Sequence, residues 1–162
     1  MSVSGTVFEE LSQDILERGV QVRFEGRGNS MRPFIEGGDI IIIEPLNGSQ
    51  LHIGDVVYYR RFDSLLCAHR LVRKDIVEGR AILTTKGDNL PHCDLPFSID
   101  KVLGRVAQIE SRGRQVSLSG GLCQMLGQMV AWFSRHSCSP TRTRLTRNLG
   151  RFYWLLTLFQ RY

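Results

Sequence analysis

Acidic residues run out two-thirds of the way along this chain. Residues 1–100 carry 15 Asp and Glu against 11 Lys and Arg, whereas residues 101–162 carry ten basic residues and a single acid, Glu110. The overall charge of +5 therefore averages a first part at −4 and a second part at +9. A basic segment attracts anionic partners, phospholipid or nucleic acid. Cysteine is scarce too. Cys67, Cys93, Cys123 and Cys138 have no C-x-x-C spacing, which argues against a zinc ribbon or a disulfide framework and for free thiols in a reducing compartment. No apolar run reaches the ~18–20 residues of a membrane span, and Met1 to Glu10 lacks the charged-then-apolar pattern of a leader. These absences set the expectation of a cytoplasmic chain without a transmembrane anchor, peripheral to a membrane at most.

Enough apolar material remains for a core. Hydrophobic residues make up 42% of the 162 and charged residues 23%, the balance of a globular domain with a small appendage. Phe8, Leu11, Ile15 and Leu16 recur at helical spacing and predict a helix over Thr6 to Glu17, stopped at Gly19. Val20 to Phe24 alternates apolar and polar residues as a half-buried strand does, and Ile40 to Ile43 is an unbroken β-branched run. Further strands are expected at Val56–Tyr59, Leu65–Val72, Ala81–Thr85, Val102–Ile109 and Gln115–Leu118. Asn47-Gly48, Gly54-Asp55, Glu78-Gly79 and Arg112-Gly113 punctuate them, the last as a hairpin turn. Regular short strands with glycine punctuation predict a mainly β domain, an antiparallel sheet or partly closed barrel rather than a parallel βαβ fold. The organisation read from this is an N-terminal helix (1–19), a β domain (20–118) and a helical, arginine-rich extension (119–162).

Within the extension, Leu122, Met125, Leu126, Met129, Val130 and Phe133 trace an amphipathic helix. Beyond Pro140, Arg142, Arg144, Arg147 and Arg151 lead into the aromatic and aliphatic run Phe152 to Phe159. Two readings stand for these stripes: packing back on the β domain, or lying in a membrane interface with arginines on phosphate. The second is expected for Arg142 to Phe159 only, against an anionic membrane surface. One N-terminal helix is too little for a helix-turn-helix, and the arginines have no base-reading context, so no specific nucleic acid partner is expected.

The chemistry gathers around Gly28-Asn29-Ser30-Met31-Arg32-Pro33. Glycine permits a tight turn and proline fixes its exit, so a serine is presented on the lip of a sheet just before Gly38-Asp39 and the isoleucine strand. Serine nucleophiles need a base within hydrogen-bond reach and a third group to hold that base. The later chain offers Gly54-Asp55-Val56-Val57, His69-Arg70-Leu71-Val72, Thr85-Lys86-Gly87-Asp88-Asn89 with Asp94, and Val102-Leu103-Gly104-Arg105-Val106. In that order, over residues 26 to 107, these boxes resemble the signal peptidase I family of serine peptidases. Histidine followed by arginine at 69 and 70 resembles its endoplasmic-reticulum and archaeal branch, whereas typical bacterial members place a lysine there. The resemblance implies Ser30 as nucleophile, His69 as general base, Asp94 as the acid that orients the histidine and Asp88 as a supporting acid. It also implies a β fold shared with self-cleaving repressors, and a peptide or small-protein precursor bound as an added strand with small side chains near the cleaved bond. No cofactor is implied. A histidine base needs no large shift to work near neutrality.

Two features depart from that family. Relatives often carry a hydroxyl two positions before the nucleophile to help hold the oxyanion, and here Gly28 stands in that place. The membrane anchor of the general secretory enzyme is also not seen. A non-catalytic peptide-binding module on the same fold is the rival reading. Cys67 is expected on the same side of its strand as His69 and is assigned no chemistry. His92-Cys93 is not read as a metal site, and His52 and His136 are read as surface or packing residues.

Overall fold

The computed structural model describes residues 3–46, 50–118 and 121–135. Among these, helix α1 (Val3–Glu17) precedes strands β1 (Val22–Glu25), β2 (Ile40–Glu44), β3 (Val56–Arg60), β4 (Leu66–Val77), β5 (Arg80–Lys86) and β6 (Phe97–Ser98). A 3-10 turn (Ile99–Lys101) then leads into β7 (Val102–Ser111), β8 (Arg114–Ser117) and helix α2 (Gly121–Arg135). The strands form one antiparallel sheet in the order β1-β2-β7-β3-β4-β5-β6, with β8 on β7, curled into a half-barrel. The tail read as a membrane-facing segment, Arg142 to Phe159, lies outside the described residues, as do His136 and Cys138.

Local chemistry sets the hairpins. Two residues, Glu78-Gly79, join β4 to β5, and two, Arg112-Gly113, join β7 to β8. All four have positive φ, 50° and 76° in the first turn and 50° and 74° in the second. That is the pattern of a two-residue turn whose twist matches the strands it joins, and it requires glycine or a tolerant residue at each position. The central strand β3 is buried on both faces. Val56 and Tyr58 enter a large cluster with Ile41, Ile43, Val106, Phe34 and Met31, and Val57 and Tyr59 enter a smaller one with Leu51, Leu71 and Leu83. A strand sandwiched this way reads as a continuous apolar run, which is what Val-Val-Tyr-Tyr is.

Both helices close the larger cluster. From α1 it takes Leu16, and from α2 Cys123 and Val130. Of the two sequence readings for the α2 stripe, packing on the β domain describes one face of that helix. Its approach depends on Gly54, where φ is 101° and an added Cβ would lie 2.6 Å from the backbone of Gly127 and Gln128. Of the residues at helical spacing in α1, Leu16 is buried beside Ser12, whereas Leu11 is 55% and Phe8 39% exposed. The edge strand β6 was not anticipated, because two residues carry no periodicity.

Gly54→Ala should therefore cost about 3 kcal/mol or more, combining left-handed strain with a backbone clash. At Gly79 φ is 76° and an added Cβ meets nothing within 4 Å, so Gly79→Ala should cost only about 1 kcal/mol. Urea unfolding of the two variants beside wild type checks the contrast.

Candidate active site

Ser30 sits on a loop clamped at both ends. At the near end Gly26 N–H donates to Asp39 O (2.7 Å) and Gly38 N–H to Gly26 O (3.0 Å), while the Asp39 carboxylate accepts from Glu36 N–H at 2.8 Å. The Gly-Gly-Asp segment is thus the peg for the start of the serine loop. At the far end Asn89 N–H donates to Ser30 O (2.8 Å) and the Asn89 amide to Asn29 O (3.1 Å). Gly87 must be glycine for this contact, since a Cβ there would lie 2.8 Å from Ser30 O. Gly28 has φ of 87°. A side chain would be strained at that position. No group among the described residues takes up the Ser30 N–H.

The structure brings Ser30, His69 and Asp94 into one hydrogen-bonded chain. His69 Nε2 lies 3.1 Å from Ser30 Oγ, and His69 Nδ1 lies 2.7 Å from Asp94 Oδ2. His69, on β4, is 3% exposed. Its carboxylate partner is held from β5: Asp94 N–H donates to Thr85 O (2.8 Å), and Thr85 Oγ1 is 2.8 Å from Asp94 Oδ2 and 2.9 Å from the Tyr59 hydroxyl. The carboxylate has no proton to give, so Thr85 spends its single hydroxyl proton on Asp94 and accepts from Tyr59. Tyr59 is fixed in turn by stacking on Phe97 of β6, centroids 4.1 Å apart. Burial alone would push the Asp94 carboxyl up, but hydrogen bonds from His69 and Thr85 and the charge of His69 outweigh it and hold the group below its ordinary value.

Asp88 is placed apart from this chain, on the residue after the histidine. Neighbours on a strand point to opposite faces, so while His69 meets Asp94, Arg70 turns the other way. Its guanidinium donates through Nε to Asp88 Oδ1 (2.9 Å), through Nη2 to Asp88 Oδ2 (2.7 Å) and through Nη1 to Gly54 O (2.8 Å). It also lies over the Phe34 ring, 5.0 Å from its centroid. Both charges are almost fully buried. A buried pair of this kind adds little net stability, yet removing one partner typically costs ~3–5 kcal/mol.

Ser30 opens onto a groove of about 570 Å³ whose apolar wall includes Phe8, Phe24, Met31, Tyr58 and Leu66. The groove runs between two strand edges. Among the described residues strand β1 pairs only with β2, and Leu66–Ala68 of β4 pair only with β3, because the β5 ladder begins at Arg70. Cys67 shares this wall, and burial pushes its thiol up to about 11, so it stays protonated at neutral pH. Cys93 is exposed beside Asp94, His52 is exposed with Nδ1 3.9 Å from Asp55, and His92 is exposed. No three His, Cys, Asp or Glu among the described residues cluster as metal ligands do.

Sequence reasoning missed Tyr59, Thr85 and the groove-lining Phe8 and Phe24. Tyr59 and Thr85 read as ordinary strand residues, and no local signal sets them apart from their neighbours Tyr58 and Thr84. Comparison with protein-family models, curated proteins and solved structures finds no match to this chain.

The lowered Asp94 carboxyl has a consequence for stability. An unfolded aspartate takes its proton near pH ~3.9, before the folded one does. The stabilisation linked to Asp94 is therefore complete above that value and is lost as pH falls through the lower folded value. Urea midpoints measured from pH 6 downward should fall more steeply for wild type than for Asp94→Asn.

Proposed function

We propose that this chain is a serine endopeptidase of the signal-peptidase type, with Ser30 as nucleophile, His69 as general base, Asp94 as the orienting acid and Asp88 as a support acting through Arg70. The observation that carries the reading is the geometry at His69: one ring nitrogen within reach of a serine hydroxyl, the other on a half-buried carboxylate. An ionised Asp94 holds the histidine as the Nδ1–H tautomer, which leaves Nε2 free to accept.

In this mechanism Ser30 Oγ adds to a peptide carbonyl while His69 Nε2 takes its proton. The tetrahedral species collapses as the imidazolium returns that proton to the leaving amine, giving an ester on Ser30. Water then adds to the ester, losing its proton to His69, and the imidazolium returns that proton to Ser30 Oγ as the carboxylic acid leaves. The Ser30 N–H is one donor for the oxyanion. A second side-chain donor at position 28 is missing, and a single such donor is worth about 10²–10³ in rate, so the reading is of a slow or specialised enzyme.

The two strand edges flanking the groove suit an extended peptide paired as an added strand, with side chains on the apolar wall. The substrate proposed is a precursor peptide or small protein processed in the cytoplasm or at a membrane surface, which the Arg142 to Phe159 tail would approach. No helix among the described residues is long and apolar enough to cross a membrane.

A serine-reactive phosphonate followed by intact mass tests the chemistry. Wild type should gain one adduct, and Ser30→Ala and His69→Ala should lose at least about 10³ in labelling rate, with Asp94→Asn losing about 10²–10⁴. Folded wild-type protein that takes no label would favour the rival reading, a peptide-binding module using the same groove.

A further inference from the structure

The groove beside Ser30 is deep as well as apolar. Its floor is the large core cluster itself, since Met31, Ile41 and Tyr58 line it and are 5%, 4% and 3% exposed. Three rings follow one another along one side. Phe8 of α1 meets Phe24 of β1 edge-on with centroids 5.1 Å apart, and Phe24 meets Tyr58 at 5.6 Å. Leu66 and Ala68 of β4 line the same space, two residues apart and so on one face of their strand. Phe8 is 39% exposed, so α1 leaves part of its ring uncovered. Glu25 and Arg27, both exposed, also line the groove, and their opposite charges give a charged side chain no net attraction.

Size decides what such a groove takes. Small side chains near the cleaved bond, which the family resemblance implies, would fill little of about 570 Å³. An alanine methyl is close to a water molecule in size, about 30 Å³, and the remaining space would hold water against an apolar wall. A leucine or aromatic side chain displaces that water, and a ring can also pack edge-on or offset against Phe8 and Phe24. We infer that the groove selects peptides carrying a bulky apolar side chain, aromatic or leucine-like, close to the bond presented to Ser30, with Phe8 as a specificity-determining residue. The inference rests on the proposed reading of the groove as a peptide site. Phe8 is singled out because it comes from α1, apart from the loop and strand that carry Ser30 and His69, and can change without moving them.

The test uses the full chain with Ser30→Ala, so that peptides bind without being cut. Short fluorescein-labelled peptides of serine and threonine carry a single Phe, Leu or Ala, placed at each position in turn, and binding is read by fluorescence anisotropy. At one position Phe and Leu should bind at least about tenfold more tightly than Ala. Adding Phe8→Ala should remove at least about threefold of that advantage and leave the Ala peptide unchanged, and Phe8→Leu should restore most of it. Phe8 is partly exposed, so the urea midpoints of both variants should stay near that of their parent. Ala bound as tightly as Phe and Leu at every position, absence of binding included, would overturn the inference. So would a Phe preference untouched by Phe8→Ala. The phosphonate label on wild type separates this from the peptidase reading. Labelled Ser30 without a preference in peptide binding would keep the peptidase and overturn the inference. A Phe preference without labelling would sustain the inference and count against cleavage.

Discussion

The buried ion pair between Arg70 and Asp88 is the constraint on which the site geometry depends. Arg70 follows His69 on β4, and Asp88 precedes Asn89, whose N–H holds the Ser30 carbonyl. A bidentate guanidinium–carboxylate pair is short and directional, so it fixes how far the Gly87-Asp88-Asn89 turn stands from β4. The serine loop hangs from that turn, and the separation of His69 from Ser30 follows. The third guanidinium bond, to Gly54 O, carries the same constraint to the start of β3 and the helix packed there. As a source of net stability such a pair is poor, since desolvation takes back most of the attraction. As a positioning device it is effective, because misplacing either charge by an ångström forfeits hydrogen bonds that nothing else in the interior can replace.

A second layer performs the matching task for the histidine. Phe97 stacks on Tyr59, Tyr59 donates to Thr85, Thr85 donates to Asp94, and Asp94 accepts from His69. Every member sits on the opposite face of the sheet from Arg70. The alternation of β4 thus assigns consecutive residues to two support systems, one for the serine loop and one for the histidine, without crowding either. A one-residue slip in the register of β4 against β3 would exchange the two faces and dismantle both. The pairing of His69 with Val57 is guarded by the β3 core, where Val57 and Tyr59 are buried on one side and Val56 and Tyr58 on the other.

Much of this was legible in the residues. Unbroken or alternating apolar runs marked seven of the eight strands, and dipeptides such as Glu78-Gly79 marked where they reverse. Gly54-Asp55 stood out as a turn, although only the fold reveals that it admits α2 and that Gly38-Asp39 pegs the serine loop. The spacing of Asp88 and Asp94 told the two acids apart only through resemblance to a family; nothing local in a run of acids and glycines says which one meets a histidine. What escaped the sequence depends on contacts distant along the chain. Thr85 and Tyr59 are buried hydroxyls whose partners lie nine and 26 residues away. Phe8 reaches the groove because α1 lies beside Phe24, centroids 5.1 Å apart, a contact that the helical period alone does not reveal.

The rival reading, a module that binds peptides without cutting them, can be weighed on the energetics of His69. A peptide groove needs its apolar wall and its two strand edges, and neither requires an imidazole that is almost fully buried with a carboxylate behind it. Burying those two polar groups imposes a desolvation cost that the fold could avoid with an apolar pair of similar volume. The Thr85 and Tyr59 hydroxyls deepen that cost, since they too are buried, Thr85 bonded to Asp94 and Tyr59 to Thr85. Arg70 and Asp88 differ in this respect, because they position loops whatever the site does. A polar chain that contributes little to shape, ends on a serine hydroxyl at the groove and keeps its acid ionised is most simply understood as there for proton transfer. On the proposed peptidase reading, Gly28 offers the oxyanion no side-chain donor, so the Ser30 N–H carries that task.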